Sequence, residues 1–131
     1  MFKIHKKFEK TSYYITDLKL CQVRLNDNAK FPWIMLLPKR KGVGQILDLN
    51  RKDQIRLMDE IQYCSKVMKK HFTCFNLNVE KVGNIIPQLH IHVIARHKQD
   101  PSWPLSVWVV KGKPYTKVAL AKILEKLRKV I

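Results

Sequence analysis

The segment Pro87-Gln88-Leu89-His90-Ile91-His92-Val93-Ile94-Ala95-Arg96 constrains this chain most. Side chains on an extended strand alternate between its two faces. Leu89, Ile91, Val93 and Ala95 therefore share one purely apolar face, which must pack on something, most simply a helix. Gln88, His90, His92, Ile94 and Arg96 share the other. Same-face neighbours stand about 6.6 Å apart at a rise of ~3.3 Å per residue, so Gln88, His90 and His92 form a polar row about 13 Å long. Imidazole can attack phosphorus, bond a phosphoryl oxygen or pass a proton near neutral pH. Taken alone, the pair His90 and His92 also fits an ordinary half-exposed strand, or two ligands of a zinc ion.

The rest of the chain supplies a frame for that strand. Ser12 to Thr16 and Leu20 to Leu25 are short β-rich runs, and Asn26-Asp27-Asn28 is a turn signal. Trp33 to Leu37 is a continuous apolar run ended by Pro38, which suits a buried central strand. Asn50 can cap a helix from about Arg51 to His71, with Asp53 three residues on resembling a capping box. Leu57, Ile61, Cys64, Met68 and Phe72 fall on one face of that helix. Phe75 to Val82 and Gln88 to Arg96 read as strands, with Gly83-Asn84 between them. Val107 to Val110 reads as an edge strand. From Thr116 to Ile131 the pattern is an amphipathic helix, with Leu120, Ile123, Leu124, Leu127 and Ile131 inward and Lys122, Lys126 and Lys129 outward. Strands with two helices placed apart in sequence point to an α+β fold. Repeats and low-complexity linkers are lacking, so residues 1–131 read as one domain.

Lys and Arg total 26 against 10 Asp and Glu, a formal charge of +16. That excess attracts anions, so nucleotides, nucleic acid and acidic partners all stay open. The basic residues are scattered; they cluster only at Lys39-Arg40-Lys41 and in Lys126, Arg128 and Lys129. Cys21, Cys64 and Cys74 make an odd count without a CxxC pair, which fits neither a disulfide framework nor a zinc site and implies a reducing compartment. The first residues lack an apolar signal core, and no apolar run is long enough to span a membrane. Cytoplasm is the default expectation.

Gln88-Leu89-His90-Ile91-His92-Val93-Ile94 resembles the signature of the histidine-triad (HIT) superfamily, in which three histidines alternate with apolar residues. Other positions match in order. Asn26 stands at a strand end where the family places a ribose-binding Asp or Asn. Trp33 to Pro38, followed by Lys39-Arg40, resembles the family's apolar strand leading into Pro and basic residues. Asn78, twelve residues before His90, is close to the family's Asn near the phosphate. Gly83-Asn84 resembles the phosphate-contacting turn, and Trp103-Pro104 the Trp-Pro pair beyond the motif. The likeness runs from about Leu20 to Pro104. It implies an antiparallel sheet of about five strands, a long middle helix and a C-terminal helix.

The resemblance also implies a reaction. His90 attacks the α-phosphorus of a dinucleoside polyphosphate or nucleoside phosphoramidate, and water releases the nucleotide from His90. His92, Gln88 and the N–H groups around Gly83 and Asn84 would donate to the phosphoryl oxygens. Asn26 would hold the ribose, Asn78 would orient the phosphate and Trp103 would border the substrate. A homodimer is implied; a cofactor or metal is not. One departure matters: the first triad position is Gln88, which hydrogen-bonds but cannot titrate, a feature resembling a bacterial branch of the superfamily. Two further readings stand beside this one. A non-catalytic module could bind nucleotides or an acidic partner on the same fold, although the motif strand lacks the aromatic interleaving of an RNA platform. A zinc site at His90 and His92 would need a third ligand.

Overall fold

The computed structural model describes residues 2–131. Its elements are α1 (Lys6–Thr11), β1 (Ser12–Asp17), β2 (Cys21–Asn26), β3 (Trp33–Pro38), α2 (Arg51–His71), β4 (Asn76–Glu80), β5 (Ile91–Arg96) and α3 (Lys117–Val130). Short 3-10 turns lie at Ile46–Asp48 and Val107–Val109. The five strands form one antiparallel sheet in the order β1-β2-β3-β5-β4, so the fold is α+β.

The apolar run Trp33 to Leu37 becomes the central strand because both of its faces are covered, and every residue of β3 is buried. Ile34 and Leu36 join Ile91, Val93 and Ala95 on one face, against Leu57, Cys64 and Met68 of α2 and Leu127 of α3. Trp33, Met35 and Leu37 join Ile94 on the other face, with Phe8, Phe31 and Val107. The period-2 pattern of β5 thus sends its aliphatic side to the long helices and its histidine side to the opposite layer.

The helix read over Arg51–His71 has those bounds. Its cap is half of the expected box. Asn50 Oδ1 accepts from Asp53 N–H at 2.8 Å. The Asp53 carboxylate instead grips Arg40 through Nε at 2.7 Å and Nη2 at 3.0 Å, a stronger charged partner than a backbone amide.

Four local expectations are corrected. The motif strand begins at Ile91, not Gln88. Continuing the β3–β5 register would set Pro38 opposite Leu89, where proline offers no N–H; Leu89 N–H donates to Val43 O instead. The strand read over Phe75 to Val82 is Asn76–Glu80, so Gly83-Asn84 lies within a longer connection, residues 81–90. Val107 to Val110 is not an edge strand: Ser106 Oγ accepts from Trp108 N–H at 3.2 Å and turns the chain. Helix α1 lies where no element was expected, because only one of its residues, Phe8, is buried and so short a run shows no period. Among the described residues, no helix is long and apolar enough to cross a membrane.

Candidate active site

A cleft of about 410 Å³ opens on the sheet face opposite α2. Met35, from β3, sits on its floor, paired in register with His92 of β5. Lys7, Phe8 and Thr11 of α1 line one side. Asn26 enters from the end of β2, and Val82, Gly83, Asn84, Ile85 and Ile86 come from the β4–β5 connection. Trp108 reaches in from its turn. His90 and His92 stand side by side, ring centroids 4.9 Å apart and edge-on to one another.

The neutral tautomer of each ring follows from its partner. His90 Nδ1 is 2.8 Å from Gln88 O. A carbonyl can only accept, so in the neutral ring Nδ1 carries the proton and Nε2 keeps its lone pair. His92 Nδ1 accepts from Trp33 Nε1–H at 2.9 Å. An indole N–H can only donate, so here Nδ1 is bare and Nε2 carries the proton. The two neighbouring rings are therefore opposite in kind: one offers a nucleophilic nitrogen, the other a donor. Neither Nε2 has a hydrogen-bond partner among the described residues, and neither is sealed from the cleft.

Burial keeps both rings neutral. It pushes His90 below its ordinary 6.5, and the nearby charge of Lys81 pushes the same way, against the bond to Gln88 O. Burial, with His90 alongside, takes His92 down to about 3. His90 is 7% exposed, which goes against the alternative of an ordinary half-exposed strand position: Phe8 packs edge-on against its ring at 4.7 Å. His92 is wedged between Trp33 and Trp108, at centroid distances of 5.4 and 5.3 Å.

The cleft lining holds Lys7 and no carboxylate. A Cβ built on Gly83 would stand 3.4 Å from Lys81 Nζ and 3.7 Å from His90 Cε1, so this amine and the His90 ring flank one small space. The N–H groups of Gly83 and Asn84 enter no backbone hydrogen bond among the described residues. Cationic amines, unengaged N–H groups and a ring N–H together suit an anion such as a phosphoryl group.

Of the residues singled out from sequence, Asn26, Gly83, Asn84, His90 and His92 come together here. Three do not. Gln88 turns its amide to the N-terminal segment, accepting from His5 N–H at 2.8 Å and donating to Lys3 O at 2.7 Å. Asn78 is engaged by Arg96, whose Nη1 donates to its Oδ1 at 2.8 Å. Trp103 packs on Phe75 and beside the Arg96 guanidinium. Trp108, not Trp103, borders the cleft, its Nε1–H donating to Glu80 Oε1 at 2.9 Å. Trp33, Lys7, Phe8 and Lys81 were also missed. A lone basic or aromatic residue carries no local sign of which distant element it will meet. Among the described residues, no three His, Cys, Asp or Glu side chains gather as a metal-holding set.

An antiparallel α+β sheet with two differently protonated imidazoles, on and just before its β5 strand, facing one anion-suited cleft defines the class: a histidine-pair protein of α+β fold. The family model described as HIT domain matches residues 7–99, and the chain belongs to that family. It is similar to a histidine triad protein from Bradyrhizobium japonicum, at 34% identity and a TM-score of 0.95, covering 99% of this chain and 98% of that one. A histidine triad protein from Marinobacter aquaeolei VT8 matches at 34% identity and a TM-score of 0.95, over 99% and 96% of the two chains. One from Sinorhizobium meliloti 1021 matches at 31% identity and 0.94, over 99% and 97%. No curated protein matches.

Proposed function

We propose that this chain transfers a nucleotidyl group from a nucleotide derivative to water through a covalent bond on His90. The observation that carries the reading is the pairing of tautomers: a bare Nε2 on His90 beside an Nε2–H on His92. His90 Nε2 donates its lone pair to the α-phosphorus. The P–O bond to the leaving group breaks, and that oxygen takes the electron pair. The ring, now carrying positive charge, keeps its Nδ1–H on Gln88 O, which stabilises it. His92 Nε2–H, the Gly83 and Asn84 N–H groups and Lys81 bond the phosphoryl oxygens as their charge is redistributed. Water then attacks phosphorus from the opposite side, the P–N bond breaks, its electrons return to Nε2, and the water's proton leaves to solvent. Asn26, on the cleft lining, would hold the ribose hydroxyls.

The titratable side chains that line the cleft are Lys7, His90 and His92, and His92 resists protonation down to about pH 3. Gln88 supplies no acid in place of the first triad histidine. Leaving groups that depart as stable anions, as in dinucleoside polyphosphates, therefore suit this site better than amines, which need a proton to leave. In the same reading, two copies of the chain pair, since β4 is a sheet edge exposing Val79. Sedimentation at micromolar concentration should give twice the chain mass; a lone chain removes that part.

The test is to incubate the protein with a dinucleoside polyphosphate, quench in alkali and map the adduct by mass spectrometry. A nucleotidyl group on His90 is expected. His90→Ala should give neither adduct nor turnover, with a folded melting transition. A second reading, a nucleotide-binding module without turnover, is favoured by the withdrawal of Gln88 from the cleft. Tight binding with no adduct and no released monophosphate would establish it.

A further inference from the structure

The first triad position does something in this chain other than chemistry. The Gln88 amide takes the N–H of His5 and the C=O of Lys3. These two groups flank Ile4 on one side of an extended segment, and they are the pair that a neighbouring strand would engage. An amide suits this role because its oxygen and nitrogen point the same way, one accepting and one donating. The two nitrogens of a histidine ring point apart and cannot meet both groups. Beyond the clamp, His5 starts α1: its Nδ1 accepts from Lys7 N–H at 3.1 Å and its carbonyl from Phe8 N–H at 3.0 Å. That helix carries Lys7, Phe8 and Thr11 to the cleft, with Phe8 on the His90 ring. Its far end runs directly into β1, and Ser12 Oγ donates to Phe8 O. The segment is thus tied by the sheet at one end and by Gln88 at the other, with Phe2 and Ile4 packed against the apolar cluster that contains Phe8.

We propose that Gln88 is a positioning residue: its amide clamps residues 3–11 in place as one wall of the nucleotide cleft. The clamp itself stands on the two hydrogen bonds; its consequence for ligand binding rests on the function proposed above. Gln88→Ala removes both bonds. Gln88→Glu keeps the shape, but its carboxylate cannot donate to Lys3 O; once protonated, the carboxyl has one donor and one acceptor again.

Two measurements on the full chain test this: hydrogen exchange, and affinity for AMP and GMP. In Gln88→Ala, residues 3–11 should exchange at least about tenfold faster, with α2 and β5 unchanged, and the Kd for the better-bound monophosphate should rise about tenfold. Gln88→Glu, which still accepts from His5 N–H, should exchange faster than wild type but slower than the alanine variant at pH 7.5, and regain the protection of wild type, measured at the same pH, at pH 4. A residue that merely stabilised the fold would loosen every element and show no such recovery. Unchanged protection of residues 3–11, uniform loosening, no recovery in acid, or loosening with unaltered monophosphate affinity would each overturn the proposal. Failure of the wild-type chain to bind either monophosphate would count against the nucleotide reading instead, while the exchange data still decide the clamp.

Discussion

At the scale of single residues, the proposed reaction depends on keeping one ring neutral and the other correctly protonated. A positive charge near His90 makes its protonated form less favourable, and Lys81 is that charge. Turnover should therefore fall on acidification only below about pH 6.5, the unperturbed histidine value. Lys81→Gln removes the repulsion, raises the His90 pKa and should move the acidic limb of kcat/KM to higher pH; a limb that stays put or moves down contradicts this. His92 depends on Trp33 in another way. Trp33→Phe keeps an aromatic wall but removes the N–H that bares Nδ1, so the ring can place its proton on either nitrogen. A kcat loss on the order of tenfold to a hundredfold is expected, less than the 10²–10³ that loss of a whole oxyanion donor costs. Nitrogen NMR should show a mixed tautomer at His92 in this variant and a single Nε2–H form in the parent.

At the scale of elements, the long helix α2 supports the site indirectly, since the aliphatic side of β5 rests on it. Asn50 caps its first turn alone, the Asp53 side chain being bound to Arg40. Asn50→Ala should cost about 1 kcal/mol, read as a lower urea midpoint with unchanged denaturant slope; the cleft chemistry should persist. This helix could be read from the sequence to its terminal residues because one face repeats over Leu57, Ile61, Cys64, Met68 and Phe72, and because its cap is local. The β4–β5 connection could not. Gly83-Asn84 has the composition of a tight turn, yet the chain there is drawn out past Ile85 and Ile86 to line the cleft. Turn composition states what a backbone can do; Glu80 pairs with His92, so the strand ends lie side by side and the extra chain between them is free to line the cleft. Helix α1 escaped notice for a related reason: with a single buried residue it has no repeat to detect.

At the scale of the whole molecule, Arg96 ties the end of the motif strand to everything beyond it. It is 1% exposed. Its Nε and Nη2 meet Asp100 at 2.6 and 3.0 Å, Nη1 meets Asn78, and Nη2 also reaches Leu105 O at 2.7 Å. Burial pushes the Asp100 carboxyl up, but hydrogen bonds donated by Arg96 and by the backbone N–H groups of His97 and Ser102 hold it below its ordinary range. Asp100→Ala would strand a buried guanidinium and should destabilise the fold by about 3–5 kcal/mol, seen in urea unfolding; a loss under 1 kcal/mol would show that water or Asn78 replaces the carboxylate. The same network explains why two sequence expectations for the cleft went elsewhere. Arg96 takes Asn78, and the segment it fastens carries Trp103 onto Phe75, leaving Trp108 to border the site.

The amino-acid sequence alone determined the period-2 strand that sends Ile91, Val93 and Ala95 inward, the amphipathic spans of α2 and α3, and the closeness of His90 to His92. All of these are written in repeats a few residues long. Tertiary structure alone decided which tautomer each histidine takes, which tryptophan reaches the cleft and where the Gln88 amide goes. Trp33 and His92 lie 59 positions apart, and His5 and Gln88 lie 83 apart. Contacts across such distances arise from how the sheet and its two layers close on one another, and no local pattern records them.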